Sequence, residues 1–297
     1  MKNERRTTDY EHPVADGPKA GTIRLLAIDL DGTLLNSKSE ISPANREALA
    51  AAAARGVQVV VVTGRRFHSA RPFVAQIPCP VTVISSNGAR IGTVSGEAYF
   101  RDFLPAELAR EALQVAREYR PYAVVLFDKP QRGQVVMQRG ASPEGPIAWY
   151  LRTAADVLLE VDDLEAAAAP DPIQVLFGGP PERLAPLEGI LAGSPAGPRV
   201  HLTWTKYLYR NVSILDVMNR RCSKGSALAR WAGQCGIEPN EVMAIGDNHN
   251  DLEMLQFAGM PVLMANRAPG FDGDGWPVTL SNDEDGVAAA IRRYILG

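Results

Sequence analysis

Four short segments of this chain carry side chains suited to one kind of chemistry: Asp29-Leu30-Asp31-Gly32-Thr33, Thr63-Gly64-Arg65, Lys224, and Gly246-Asp247-Asn248-His249-Asn250-Asp251. Three or four carboxylates brought together repel one another unless a cation joins them, and hard oxygen ligands with neutral Asn nearby suit Mg²⁺. A carboxylate such as Asp29 is also a nucleophile toward phosphorus, giving an aspartyl-phosphate. Attack by an anion on a phosphate dianion needs charge neutralisation, to which a divalent cation, an ammonium and a hydroxyl contribute. Lys224 and Thr63 are the right types. A second carboxylate, Asp31, can protonate a leaving alcohol and then activate water. Gly32 lets backbone N–H groups approach a phosphate.

Each segment alone has a plainer explanation. Asp-Gly is common turn chemistry, Thr63-Gly64 can end a strand, and Asp247 and Asp251 can be helix N-terminal acids stabilised by the dipole. Lys224 can be a solvated lysine at a helix start, although a cation there is poor dipole chemistry. Their occurrence together and in order, at strand ends or a helix start, favours the chemical reading. His249 reads as a variable loop residue, His68 and His201 as surface or packed histidines, and Trp204, Tyr207 and Tyr209 as packing or hinge residues. Arg65 and Arg66 read equally as surface residues or as residues reaching the site mouth.

The elements around these segments alternate. Residues 23–30, 57–62 and 81–85 are short apolar runs that read as buried strands. Ser42-Pro43 opens a helix, with Ser as N-cap and Pro at the first helical position, and Gly56 closes it. Residues 66–76 form a second helix. Strands alternating with helices argue for a parallel α/β sheet, whose ligands bind at the carboxyl ends of the strands. From about 89 to 205 the rhythm changes: helices over 105–120, 147–159 and 182–191 lie among strands at 122–127, 134–138, 173–177 and 200–205. This reads as an α+β insert with an antiparallel sheet. After 209–218 the first rhythm returns, with helices at 224–233, 251–258 and 285–296 and strands at 242–245, 261–264 and 277–280.

The 297 residues allow two domains or one large one at roughly 150 residues each. With 46% hydrophobic and 22% charged residues the composition is that of a globular protein, which excludes a disordered chain. The net charge of −3 lacks the basic surplus of a nucleic-acid binder. No apolar run is long enough to span a membrane, and the polar first 21 residues lack the apolar stretch of a secretory signal. They read as a disordered leader. The cysteines, Cys79, Cys222 and Cys235, are too few and scattered for a disulfide framework or a zinc site, so the expected compartment is cytoplasmic.

In these motifs the chain resembles the haloacid dehalogenase (HAD) superfamily of phosphatases, in its Cof-type branch with a type C2 cap inserted after the second motif. The likeness runs from Ile23 to Gly297. Asp29 to Thr33 resembles motif I, Thr63-Gly64-Arg65 motif II, Ser223-Lys224-Gly225 motif III and Gly246 to Asp251 motif IV; Ser86-Asn87-Gly88-Ala89 and Ser281 to Val287 are further marks. The resemblance implies an α/β fold: a Rossmann-like parallel-sheet core, residues 22–88 and 206–297, and an inserted α+β cap, residues 89–205, that selects substrate. It implies Asp29 as nucleophile and Mg²⁺ ligand, and Asp31 as general acid/base with its carbonyl on the metal. Asp247 and Asp251 complete the metal site. Gly32, Thr63, Gly64, Lys224, Asn250 and Asn87 lie around the phosphoryl group. Ala265, where the branch usually has Gly before Asn266, and the Gly/Asp-rich stretch 269–276 are departures that touch local loop geometry.

The expected activity is Mg²⁺-dependent hydrolysis of small phosphorylated metabolites such as sugar phosphates, by a monomer or homodimer with no nucleic-acid or membrane partner. The alternatives are a phosphomutase of the same superfamily and a non-hydrolytic phospho-acceptor or binding protein. Asp31 and the long insert argue against a bare phospho-acceptor module.

Overall fold

A computed structural model describes residues 23–141, 146–207, 211–273 and 275–297. The leader expected over residues 1–21 lies outside them, as does Tyr209. The chain begins with β1 (Leu25–Ile28), α1 (Pro43–Ala54), β2 (Gln58–Val62), α2 (Phe67–Val74) and β3 (Val81–Ser85). Ser42 caps α1 by accepting from the Asn45 N–H at 3.1 Å, with Pro43 in the first turn, and Gly56 follows with φ +83°. Two further strands, β4 (Arg90–Thr93) and β5 (Ala98–Arg101), pair antiparallel beyond β3.

The chain then builds a second sheet. Its elements are α3 (Ala106–Val115), β6 (Ala123–Leu126), β7 (Val135–Gln138), α4 (Pro146–Thr153), β8 (Leu158–Val161), α5 (Leu164–Ala167), β9 (Gln174–Gly179), α6 (Pro181–Ala192), β10 (Val200–Tyr207) and β11 (Val212–Asn219). The return to the first sheet runs through α7 (Lys224–Gln234), β12 (Val242–Gly246), α8 (Leu252–Phe257), β13 (Met260–Leu263) and α9 (Gly286–Ile291), which one π-helical turn, Arg292–Leu296, extends.

The first sheet has the order β13-β12-β1-β2-β3-β4-β5, and its β13-to-β3 portion is parallel. Both faces are covered. Side chains alternate along β1, so Leu26 and Ile28 join α1, α2 and α9, while Leu25 and Ala27 join α7 and α8. Each such Leu or Ile removed from water contributes about 1.5–3 kcal/mol. The mixed second sheet, β10-β11-β9-β6-β7-β8, packs one face on α3, α5 and α6. Its other face gathers Leu126, Val135, Met137 and Leu176 with Ile147 and Leu151 of α4, and reaches Ala89 and Cys222 near the first sheet.

Several expected elements change. The helix expected over 147–159 ends at Thr153, because Leu158–Val161 finds ladder partners in Val135–Gln138 and becomes a strand. The strand expected at 277–280 is a single bridge, Leu263 to Val278. The exchange between sheets does not fall at 88/89 and 205/206. The 90–101 hairpin hydrogen-bonds to β3, and β11, through Asn219, hydrogen-bonds to β9 and β10. Among the described residues, no helix is long and apolar enough to cross a membrane.

Candidate active site

The order of the first sheet reverses at β1: the chain leaves it toward β2 and β3 and later fills the other side with β12 and β13. A crevice forms at the carboxyl ends of the strands flanking such a switch. Asp29 follows β1, Thr63 follows β2 and Asp247 follows β12. The expected segments therefore meet through topology, and the distances are short.

Lys224 stands in the middle. It is the first residue of α7, whose N-cap Ser223 forms a capping box with Ser226. Its buried ammonium donates to Asp29 Oδ1 and to Asp251 Oδ1, each at 2.6 Å. These two anions offset the unfavourable helix dipole at that end. Burial alone would lower the lysine pKa, but Asp251 and Asp29 outweigh it and raise it. Asp251 is held in turn, its Oδ2 accepting the N–H groups of Asp247 (3.0 Å) and Asn248 (2.9 Å). Thr33 donates its hydroxyl to Asp247 Oδ1 at 2.8 Å.

Asp29, Asp247 and Asp251 are all buried, and each places a carboxylate oxygen within 4.8 Å of the others'. Burial pushes the Asp29 carboxyl up to about 7; Lys224 opposes the shift, while Asp251 and Asp31 add to it. Asp247 is raised well above the usual carboxylate range by burial, with Asp29 and Asp251 adding to it. With all four acids ionised, Asp29, Asp31, Asp247 and Asp251 face, among the described residues, the cations Lys224 and Arg65. Two negative charges remain, in an all-oxygen donor set, which fits a divalent hard cation.

The glycine next to Asp31 is sterically required. Gly32 has φ +83°, and a Cβ there would lie 2.4 Å from Asp247 Oδ2. At Gly64 a Cβ would press on Asn87 Oδ1 at 3.0 Å. Thr63 is fully buried, and its hydroxyl oxygen accepts the Arg65 N–H at 3.1 Å, leaving its own proton to donate. Asn250 donates to Asn87 Oδ1 at 3.0 Å. Contacts thus tie Lys224 to Asp29 and Asp251, Gly32 to Asp247, Arg65 to both Asp31 and Thr63, and Gly64 and Asn250 to Asn87.

Three groups stand out only in three dimensions. Arg65 grips Asp31 with two bonds, Nε to Oδ2 at 2.6 Å and Nη2 to Oδ1 at 2.5 Å. Asn248 uses its side-chain amide as a strand would, accepting the Lys206 N–H at 3.1 Å and donating to the Lys206 carbonyl at 2.9 Å. That ties β10 of the second sheet to the fourth motif. Arg66 makes another tie, donating to Gln134. His249 packs against Phe271, and its Nδ1 has no hydrogen-bond partner among the described residues. The Ala265 departure leaves its neighbour in place, since Asn266 donates to the Gly32 carbonyl at 2.8 Å.

The third group is Asp216 of β11. Leu215 and Val217 point into the outer core of the second sheet, so strand alternation turns Asp216 toward the first. Its Oδ2 accepts from Asn87 Nδ2 at 2.9 Å and its Oδ1 from Gln174 Nε2 at 2.6 Å. A bonded chain thus runs from Gln174 through Asp216 and Asn87 to Asn250. An acid within the apolar run Ile214-Leu215-Asp216-Val217-Met218 was the available sequence signal. Burial pushes the Asp216 carboxyl up to about 7, against the two amide bonds.

A raised carboxyl pKa has a definite sign. Between about pH 4 and 7 the folded state holds a proton that the unfolded chain has lost, so stability falls as pH rises through this window. Asp216→Asn is expected to remove this dependence. Between pH 5.5 and 8, thermal unfolding should show the native protein losing about 2 kcal/mol relative to the variant. Equal pH slopes in the two proteins would count against the assignment.

Comparison with known proteins agrees with this geometry. Residues 26–291 match the family described as haloacid dehalogenase-like hydrolase. The phosphatase YwpJ of Bacillus subtilis is 32% identical over 293 residues, covering 92% of this chain and all of that protein. The HMP-PP phosphatase of Serratia proteamaculans is 32% identical over 247 residues, covering 83% and 85%. The solved structure of a haloacid dehalogenase-like hydrolase from B. subtilis superposes with a TM-score of 0.76 at 27% identity, covering 92% of this chain and all of that one. The expected family and fold class are borne out. With its motifs meeting at the switch point of a parallel sheet, and with phosphatases among its relatives over nearly its whole length, the chain belongs to the haloacid dehalogenase-like hydrolases and is a phosphatase of the Cof type.

Proposed function

We propose that the chain is a Mg²⁺-dependent phosphomonoester hydrolase that acts on small phosphorylated metabolites such as sugar phosphates through an aspartyl-phosphate on Asp29. The observation that carries this reading is the buried triad Asp29, Asp247 and Asp251 with Lys224 bridging two of its members. Asp29, Asp247 and Asp251, with the Asp31 carbonyl, would hold Mg²⁺, which supplies charge neutralisation to phosphoryl oxygens.

The steps follow from the residues. An Asp29 oxygen attacks phosphorus as the bond to the leaving oxygen breaks, and Asp31 gives that oxygen a proton. Lys224 and the Thr63 hydroxyl stabilise the developing charge, and Asn250, oriented by Asn87, closes the phosphate pocket. Asp31, now ionised, takes a proton from water; the water attacks phosphorus, inorganic phosphate leaves and Asp29 is restored. Before substrate arrives Arg65 occupies Asp31. The side chains of that pair are 25% and 33% exposed, so an exchange of Arg65 onto an incoming anion costs little. The segment between the second and third motifs acts as the cap, held over the site by Asn248–Lys206, Arg66–Gln134 and Asn87–Asp216.

The test is release of p-nitrophenol and of free phosphate from p-nitrophenyl phosphate. Turnover is expected with Mg²⁺, to vanish with EDTA and to return on adding excess Mg²⁺. The metal should also stabilise the fold, by about 2.7 kcal/mol at a hundredfold excess over its Kd. Activity that persists through exhaustive chelation would overturn the metal assignment.

A further inference from the structure

A second cleft, of about 480 Å³, opens beside the two connections between the sheets, and none of the carboxylates of the acidic site lines it. Phe100 of β5 and Asp102, just after that strand, border it on one side, and Arg220 and Arg221, on the returning connection, on the other. Arg230, on α7, forms another wall. The volume is that of a small-metabolite site. Asp102 Oδ1 accepts from Asn219 Nδ2 at 2.5 Å, which joins the two connections at this point.

The charge here runs against the molecule as a whole. The chain carries −3 overall, yet three arginines line this cleft against one carboxylate, which is already engaged. Among the described residues none of the three is in an ion pair. Arg230 is held in place by the Phe100 ring, 4.0 Å from the guanidinium carbon to the ring centre. Guanidiniums present paired N–H groups that match phosphoryl and carboxylate oxygens. Three arginines lining a cavity of metabolite size, one of them stacked in place, offer a receptor for an anion with two or more charges.

We propose that this cleft binds a small polyanion, phosphorylated or polycarboxylate, which braces the two connections between the sheets. The anion would link Arg220 and Arg221, on the returning connection, to Arg230 on the helix whose first residue is Lys224. The site is separate from the acidic crevice, and its existence does not depend on the hydrolytic reading.

The experiment titrates pyrophosphate, and in a second arm citrate, into the full chain by calorimetry in EDTA. Any binding in the acidic crevice is common to native protein and variant, so the difference between them reports the cleft. The comparison protein is Arg220→Ser/Arg230→Ser, whose changes fall on exposed side chains. Native protein is expected to bind at least one anion, and the double variant to bind it about tenfold more weakly or worse. Pyrophosphate binding tighter than citrate assigns the site to phosphoryl anions, and the reverse to polycarboxylates. Turnover of p-nitrophenyl phosphate by the variant, with Mg²⁺ and no added anion, should stay within about twofold of native. Hydrogen exchange at residues 101–105 and 219–223 should slow on binding in native protein only. Native and variant affinities for the same anion that differ by clearly less than tenfold, unchanged exchange at both connections, or no binding by native protein through the millimolar range would each overturn the proposal.

Discussion

Asp29→Asn is expected to abolish turnover of every phosphomonoester, with a fall of at least roughly 10⁴-fold, the scale of losing the atom that forms the covalent intermediate. The variant should fold. The introduced amide still offers Lys224 an acceptor oxygen, and Asp251 keeps its 2.6 Å contact with the same ammonium. Ionised Asp29 is held at a cost, because burial and the neighbouring acids disfavour its charge. Its neutralisation therefore removes repulsion in the metal-free protein, and thermal unfolding in EDTA should be no lower than native. The two readouts move independently: activity disappears while metal-free stability holds. Turnover comparable to native would remove Asp29 as the nucleophile, whereas loss of activity together with unfolding would show that the amide variant had failed as a test.

Much of this site was legible because its chemistry sits on local sequence signals. Asp29, Thr63 and Asp247 each end a β-branched or apolar run, and a parallel sheet brings such ends together whatever lies between them. Ser42-Pro43 and Ser223 mark helix starts by capping chemistry that needs no partner from elsewhere. The residues that escaped depend on pairing at long range. Leu158–Val161 follows a helix without a strong break and becomes a strand only because β7 offers it a ladder. The 90–101 hairpin carries no mark of which sheet it joins; its bonds to β3 decide that. Arg65 is adjacent to Gly64 in sequence, but its grip on Asp31 spans 34 residues. Asp216 acquires its partners Asn87 and Gln174 only when the second sheet closes over the first. Short apolar runs specify strands; the identity of the neighbour, and so the environment of a buried acid, is a property of the assembled fold.

Asp31→Asn should separate the two halves of the reaction. Removing a general acid/base costs about 10²–10⁴-fold, but the cost is not uniform across substrates. A p-nitrophenolate leaving group needs little proton donation, so its transfer to Asp29 should remain fast in the variant. An alkoxide leaving group, as in a sugar phosphate, needs the proton, and its transfer should slow by the full factor. Hydrolysis of the aspartyl-phosphate needs a base for water in both cases. With p-nitrophenyl phosphate the variant is therefore expected to release a burst of p-nitrophenol close to one equivalent of enzyme and then turn over slowly, while a sugar phosphate gives no burst. Acid quench followed by peptide mass spectrometry should find the phosphoryl group on Asp29. Arg65 loses an anionic partner in this variant, and because the pair is part-exposed the loss should change stability by less than about 1 kcal/mol. Equal rate losses for the two substrates, with no burst and no phosphorylated Asp29, would assign Asp31 to binding rather than to proton transfer. The distinction rests on leaving-group basicity, which no change in folding or metal affinity can imitate.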